Sequence, residues 1–258
     1  MKKLIIFIML ASVAWAQPEA KLLENAQNGD VKAQMELSKY YFVHEDYTQS
    51  TQWLLKAEAS GDLEARHMLA LNYLIGIGIE KNTSKAVELF DSAGKAGYVS
   101  SQALLGLLYK NGDLIPADTE KALYWLRKAA DNDSGVAMDN LGYMYLSGIG
   151  VKVDKKKAAQ YYIQSAENGF PRGMYNAGIM YRDGEGVKQD LDTALKYFLQ
   201  AVDAGNIGAA NDAAVIYMDK DSGKAEKYFL IGASKGDKGA QANLGYFLAF
   251  MTKSDLIA

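Results

Sequence analysis

The stretch NLGYMYLSGIGV, residues 140–151, sets Gly148 and Gly150 one residue apart, a spacing seen in loops whose backbone N–H groups cradle phosphate. A phosphate loop occurs once in a chain, between a strand and a helix whose N-terminus faces the anion. Here the pair recurs as Gly76 with Gly78 and Gly184 with Gly186, which makes it a repeated turn. Other chemical candidates fall for comparable reasons. His44 and His67 are the chain's two histidines, and neither has a second nitrogen ligand at i+4 or an H-E-x-x-H context, so no histidine metal site is assigned. GASKG, residues 232–236, has the letters of a nucleophile elbow, but it aligns with SAENG at 165–169, the end of a helix, where no sharp strand-to-helix turn presents the serine. RDGEGVKQD, residues 182–190, lacks the ligand spacing and closing glutamate of a calcium loop, and its copy LSGIGVKVD lacks those acids altogether. Two carboxylates meeting across a groove, as in glycoside hydrolysis, leave no local signature and stay open as the one enzymatic alternative, a cell-wall-acting enzyme. No catalytic, cofactor-binding or metal-ligating residue is assigned, and the protein is read as non-enzymatic with no cofactor.

The elements that position these residues are repeats. EARHMLALNYLIGIGI, SSQALLGLLYKNGDLI, VAMDNLGYMYLSGIGV and RGMYNAGIMYRDGEGV begin at 64, 100, 136 and 172, a constant step of 36 residues. Such a period is the mark of a stacked repeat architecture. Each unit has two amphipathic halves. The first holds an apolar or aromatic pair, such as Trp125-Leu126, Tyr161-Tyr162 or Tyr197-Phe198, with a small residue one helical turn before its second member (Ala122, Ala158, Ala194). The second holds Leu69, Leu105, Leu141, Ala177 or Ala213, followed four residues later by Tyr73, Tyr109, Tyr145, Tyr181 or Tyr217, a pair on one helix face. Between the halves, Gly29-Asp30, Gly61-Asp62 and their counterparts end one helix and cap the next. Gly106, Gly142, Gly178 and Gly245 follow the leucine or alanine, where helices must approach closely.

Composition agrees with an all-helical chain. Only three prolines occur in 258 residues, so helix breakers and proline-rich linkers are scarce. Lys2-Lys3, the apolar run 4–10 and Ala14-Trp15-Ala16 form a secretory signal peptide over residues 1–16, too short to span a bilayer. With no cysteine there is neither a lipid-attachment site nor a disulfide, so a soluble periplasmic or secreted product beginning near Gln17 is expected, with no integral membrane segment after cleavage. Removing the two lysines takes the net charge from −3 to −5, and the densest basic run is Lys155-Lys156-Lys157. A nucleic-acid partner, which needs a basic stripe, is excluded.

The pattern W/Y-Y/F/L-x-x-A-A-x-x-G-D-x-x-A-x-x-x-L-G-x-x-Y-x-x-G-x-G-V, best kept in Leu141-Gly142-Tyr143-Met144-Tyr145 and Ser147-Gly148-Ile149-Gly150-Val151, resembles the Sel1-like repeat, a relative of the tetratricopeptide repeat. The resemblance implies a right-handed all-α solenoid of about seven antiparallel helix pairs over residues 17–258, one domain, monomeric or weakly dimeric. It implies a protein partner: a toxin or effector held by an immunity protein, an envelope or signalling protein held by a regulator, or a host molecule met by a secreted factor. The cysteine-linked branch of the family is not carried over, because this chain has no cysteine.

In tetratricopeptide-like stacks the first helices line the concave surface. The residues just before the aromatic pair (Gln52, Glu88, Tyr124, Gln160, Lys196) and those three after its first member (Lys56, Lys128, Gln164, Gln200) are therefore expected to pave a partner-binding groove. At the C-terminus, NLGYFLAFM at 243–251 is expected to place Leu244 and Leu248 inward. That leaves Tyr246, Phe247, Phe250 and Met251 to share the other directions as a second candidate contact surface.

Overall fold

Helix boundaries are set by side chains that start the backbone and glycines that stop it. The computed structural model describes residues 18–255, with side chains up to 249, and the signal segment 1–16 lies outside the described residues. Among the described residues there are fourteen helices and no strand. The first helices of the pairs are α1 (Ala20–Gln27), α3 (Tyr47–Ala59), α5 (Thr83–Lys95), α7 (Thr119–Ala130), α9 (Lys155–Glu167), α11 (Leu191–Asp203) and α13 (Ser222–Ser234). The second helices are α2 (Val31–Val43), α4 (Leu63–Ile75), α6 (Val99–Asn111), α8 (Gly135–Ser147), α10 (Pro171–Asp183), α12 (Ala209–Met218) and α14 (Lys238–Asp255).

Asp30, Asp62 and Ser134 cap second helices by accepting a hydrogen bond from the N–H three residues on, at 3.0, 2.7 and 3.3 Å. Asp46, Asn82, Asp118, Asp154, Asp190 and Asp221 cap first helices in the same way. The first glycine of each Gly-x-Gly turn ends a second helix in the left-handed conformation, with φ of 80° at Gly76, 73° at Gly148 and 70° at Gly184. At the second glycine, a Cβ would collide with the start of the preceding first helix: Tyr47 O for Gly78, Thr119 for Gly150, Lys155 O for Gly186. The glycine pair is thus a packing device that ties the end of a helix pair back to its beginning.

By its contacts the chain divides after Ser101, inside α6, into two compact units. In unit 1 the first core cluster joins α1, α2 and α3 through Ala26, Ala33, Leu37 and Trp53. In unit 2 the cores follow one another along the chain: Tyr145, Ala158, Tyr162 and Met180, then Ala194, Phe198, Ala213 and Ile216, then Ala214, Phe229 and Phe247. Of the second-helix tyrosines Tyr145 is buried, while Tyr181 and Tyr217 are only partly immersed. Each lies flat on the first ring of the next aromatic pair, Tyr145 on Tyr161, Tyr181 on Tyr197 and Tyr217 on Tyr228, with centroids 5.5, 5.8 and 5.6 Å apart. The small residue after the leucine meets a side chain rather than a backbone: a Cβ on Gly142 would stand 2.8 Å from the Tyr162 ring, and one on Gly178 2.6 Å from Phe198.

The C-terminal helix departs from expectation. Leu248 is exposed and Phe247 is 4 % exposed, its ring tilted against Phe229 at 5.9 Å. Phe247 stands three residues after Leu244, as Leu108, Met144, Met180 and Ile216 stand three after Leu105, Leu141, Ala177 and Ala213, and all four are buried. Leu248 occupies the tyrosine position of the repeat.

Candidate functional site

The first-helix rows reach the surface. Gln52, Lys56, Glu88, Tyr124, Lys128, Gln160, Gln164, Lys196 and Gln200 are all exposed, on α3, α5, α7, α9 and α11. Several are held by their own helix: Lys56 sits 3.8 Å over the Trp53 ring, Glu88 pairs with Lys85 at 2.8 Å, and Tyr124 stands edge-on to Trp125 at 5.0 Å. Of the C-terminal candidates, Tyr246 is 79 % exposed while Phe247 belongs to the core. The expectation that Phe247 serves as a contact is corrected by its packing on Phe229. Phe250 lies in α14, and its side chain is outside the described residues.

Side chains that reach from one repeat to the next lie instead on the second helices of unit 2. Lys110 of α6 donates to Asn140 Oδ1 of α8 at 2.5 Å. Asp139 of α8 accepts from Arg172 Nε at 2.6 Å and Asn176 Nδ2 at 2.7 Å, both on α10. Asp212 of α12 accepts from Arg182 of α10 at 2.5 Å and from Tyr175 Oη at 3.3 Å, and Asn243 of α14 donates to Asn211 of α12 at 2.8 Å. α8 and α10 also pack directly on each other, as do α12 and α14.

Along this row a cleft of about 430 Å³ opens, within the about 300–1,000 Å³ usual for ligand sites. Lys110, Asp139, Asn140, Tyr143, Arg172 and Asn176 give it a polar wall, with Leu146 and Tyr162 beneath. None of the first-helix candidates lies in that wall. Asp139 is 1 % exposed and Arg172 54 %, so the ion pair has a buried acid and an open base. Burial, reinforced by the Arg172 charge, pushes the Lys110 ammonium below the usual lysine range against the pull of Asp139. Burial also raises the Tyr162 phenol well above its ordinary value, and Asp139 adds to the rise. A smaller apolar cleft of about 130 Å³ lies in unit 1 between Phe42, Val43, Leu54 and Met68.

The polar row occupies the x positions of A-x-x-x-L, where the repeat pattern dictates nothing. Asp139-Asn140, Tyr175-Asn176 and Asn211-Asp212 stand where earlier repeats carry Ala103-Leu104 and His67-Met68. At the second of these positions Asn140, Asn176 and Asp212 replace the apolar Met68 and Leu104, and that change is the signal in the sequence. Among the described residues, no group of three or more His, Cys, Asp or Glu side chains comes together in a form able to hold a metal, and no helix is long and apolar enough to cross a membrane.

Two solved structures share this architecture. One is a protective antigen present in uropathogenic Escherichia coli strains and displaying an SLR fold, with 29 % identity and a TM-score of 0.78 over 87 % of this chain. This chain covers 50 % of that protein's length. The other is a Sel1 repeat protein from Oxalobacter formigenes, with 27 % identity and a TM-score of 0.74, covering 82 % of this chain and 89 % of that one. No curated protein matches. The family model for the Sel1 repeat matches residues 27–62, 63–98, 99–134, 135–170, 171–206 and 216–237, and the units at 63, 99, 135 and 171 begin on the first residue of a second helix. The chain belongs to the Sel1 repeat family, as an all-α stack of helix pairs.

Proposed function

We infer that this protein is a non-catalytic, periplasmic or secreted binding scaffold whose protein partner docks on the second-helix face of unit 2. The observation that carries the reading is the cleft between Lys110, Tyr143, Arg172 and Asn176, where consecutive repeats bring charged, amide and aromatic groups to one open surface. Solenoids use such extended faces for partners, and an exposed tyrosine beside an arginine is the composition of an interface centre. Export rests on Lys2-Lys3, the apolar run and Ala14-Trp15-Ala16, together with the absence of cysteine. Within this class, neutralising a periplasm-delivered toxin and holding an envelope protein's soluble part are distinguished by the partner itself.

The test is capture from periplasmic extract and from the products of neighbouring genes. Tyr143→Ser is expected to abolish capture, whereas the pair Tyr124→Ser with Lys128→Ser leaves it intact. The reverse pattern moves the docking face to the first helices. Soluble fragments released from peptidoglycan by the purified protein overturn the non-catalytic reading.

A further inference from the structure

We propose that the unit 2 cleft is a carboxylate-binding site, in which an acidic side chain or chain terminus of a partner protein sits between Lys110 and Arg172 with its stem against Tyr143. This rests on the reading that the second-helix face is the docking face, and gives that face a ligand chemistry.

The repeat itself shows what is missing. Arg182 and Asp212 stand 30 residues apart on α10 and α12 and form an ion pair. Two periods earlier the same two positions hold Lys110 and Asn140. The cation is kept and the carboxylate is replaced by a neutral amide. Asn140 donates its Nδ2 to Val136 O at 2.8 Å, which turns Oδ1 towards the Lys110 ammonium. Lys110 also lies 5.6 Å from the Tyr143 ring centroid, and among the described residues no carboxylate oxygen comes within ion-pair distance of it.

The one carboxylate in the wall is already used. Asp139 Oδ1 accepts from Asn176, and Oδ2 accepts from Arg172 Nε and pairs with Nη2. Its charge fixes Arg172 in place, while Lys110 adds a second cation to the same cleft. Two cations against one spent anion leave the cleft positive inside a chain whose formal net charge is −3. Burial and the Arg172 charge hold the Lys110 ammonium below its usual range. An incoming anion reverses both effects by pairing with the ammonium and partly screening the two cations from each other. Charge-assisted hydrogen bonds of this type are the strong ones. A carboxylate suits the space because it presents two acceptor oxygens, one for Lys110 and one for the open side of Arg172. Tyr143, half exposed beside Lys110, offers a ring for the methylenes or backbone that carry it.

The experiment titrates the ¹⁵N-labelled protein with four capped tripeptides and follows the side-chain amide signals of Asn140 and Asn176. Acetyl-Gly-Gly-Glu-amide offers only a side-chain carboxylate, acetyl-Gly-Gly-Gly only a terminal one, acetyl-Gly-Gly-Glu both, and acetyl-Gly-Gly-Gln-amide none. Saturable shifts with at least one carboxylate peptide and none with the glutamine amide are expected, and the responding peptide distinguishes side chain from terminus. Lys110→Gln should weaken that binding at least tenfold. Asn140→Asp, which rebuilds the internal ion pair, should do the same while leaving the unfolding midpoint at or above that of the parent. Equal shifts with the glutamine amide, unchanged affinity in both variants, tighter binding of inorganic phosphate than of every carboxylate, or no shift with any peptide each overturns the proposal. If the peptides fail while Tyr143→Ser still abolishes partner capture, the docking face stands and only its carboxylate chemistry falls.

Discussion

Gly142 and Gly245 occupy the same position of the repeat, one residue after the leucine, yet they face different surroundings. A Cβ on Gly142 would stand 2.8 Å from two atoms of the Tyr162 ring, and Tyr162 is buried and cannot swing away. Around Gly245 nothing lies within 4 Å of where a Cβ would stand. Gly142→Ala should therefore destabilise the protein by about 1–3 kcal/mol through overpacking, and Gly142→Leu by at least as much. Gly245→Ala should stabilise it by about 0.5–1 kcal/mol, since alanine restricts the unfolded backbone and favours helix. Denaturant midpoints of the two alanine variants moving in opposite directions would establish that the glycine serves ring packing rather than the helix itself. Asp133 shows the converse, a non-glycine residue at φ 61° where Gly61, Gly169 and Gly205 stand in other repeats.

At the scale of elements, His67 ties α4, α5 and the first turn of α6 together within unit 1. It lies on α4, with its ring 5.4 Å from Phe90 of α5 and 5.2 Å from Tyr98, and its Nδ1 is 2.8 Å from Ser101 Oγ of α6. Burial lowers its affinity for a proton below that of an ordinary histidine, and the Glu64 charge only partly offsets this. Because the folded pKa is depressed, the unfolded chain binds the proton more tightly, and the stability that His67 contributes is lost as pH falls below about 6.5. Unfolding midpoints of the parent should accordingly decline over that window, and His67→Gln should flatten the decline. An identical pH profile in the variant would mean that the ring titrates as if it were in water.

For the whole molecule, contacts in a repeat stack run between neighbours, so stability is a sum of local terms. Trp53 is buried in unit 1 and Trp125 in unit 2, which gives each unit its own fluorescent reporter. In single-tryptophan versions of the chain, Gly142→Ala should shift the transition reported by Trp125 to lower denaturant and move that of Trp53 much less. Coincident shifts at both reporters would show that the two units unfold as one cooperative block.

Helix count, pairing and turn chemistry were legible in the sequence because each depends on local rules repeated every 36 residues: an apolar face, a cap, a left-handed glycine. The glycine turns, the Leu-x-x-x-Tyr face and most caps stand where the pattern puts them, whereas Phe170 makes no side-chain cap bond and α12 starts after Gly208 rather than Asn206. The burial of Phe247 was legible too, in the apolar residues that recur three after Leu105, Leu141, Ala177 and Ala213. The cleft left only a faint mark, an amide or acid at Asn140, Asn176 and Asp212 where Met68 and Leu104 stand in earlier repeats. Lys110, Asp139, Asn140 and Arg172 belong to three different repeats, and the sequence alone presents each as an isolated polar residue at an unconstrained position. Only the stacking of α6, α8 and α10 places them side by side, buries the Asp139 charge, and leaves Lys110 beside an amide where the later repeat supplies an acid.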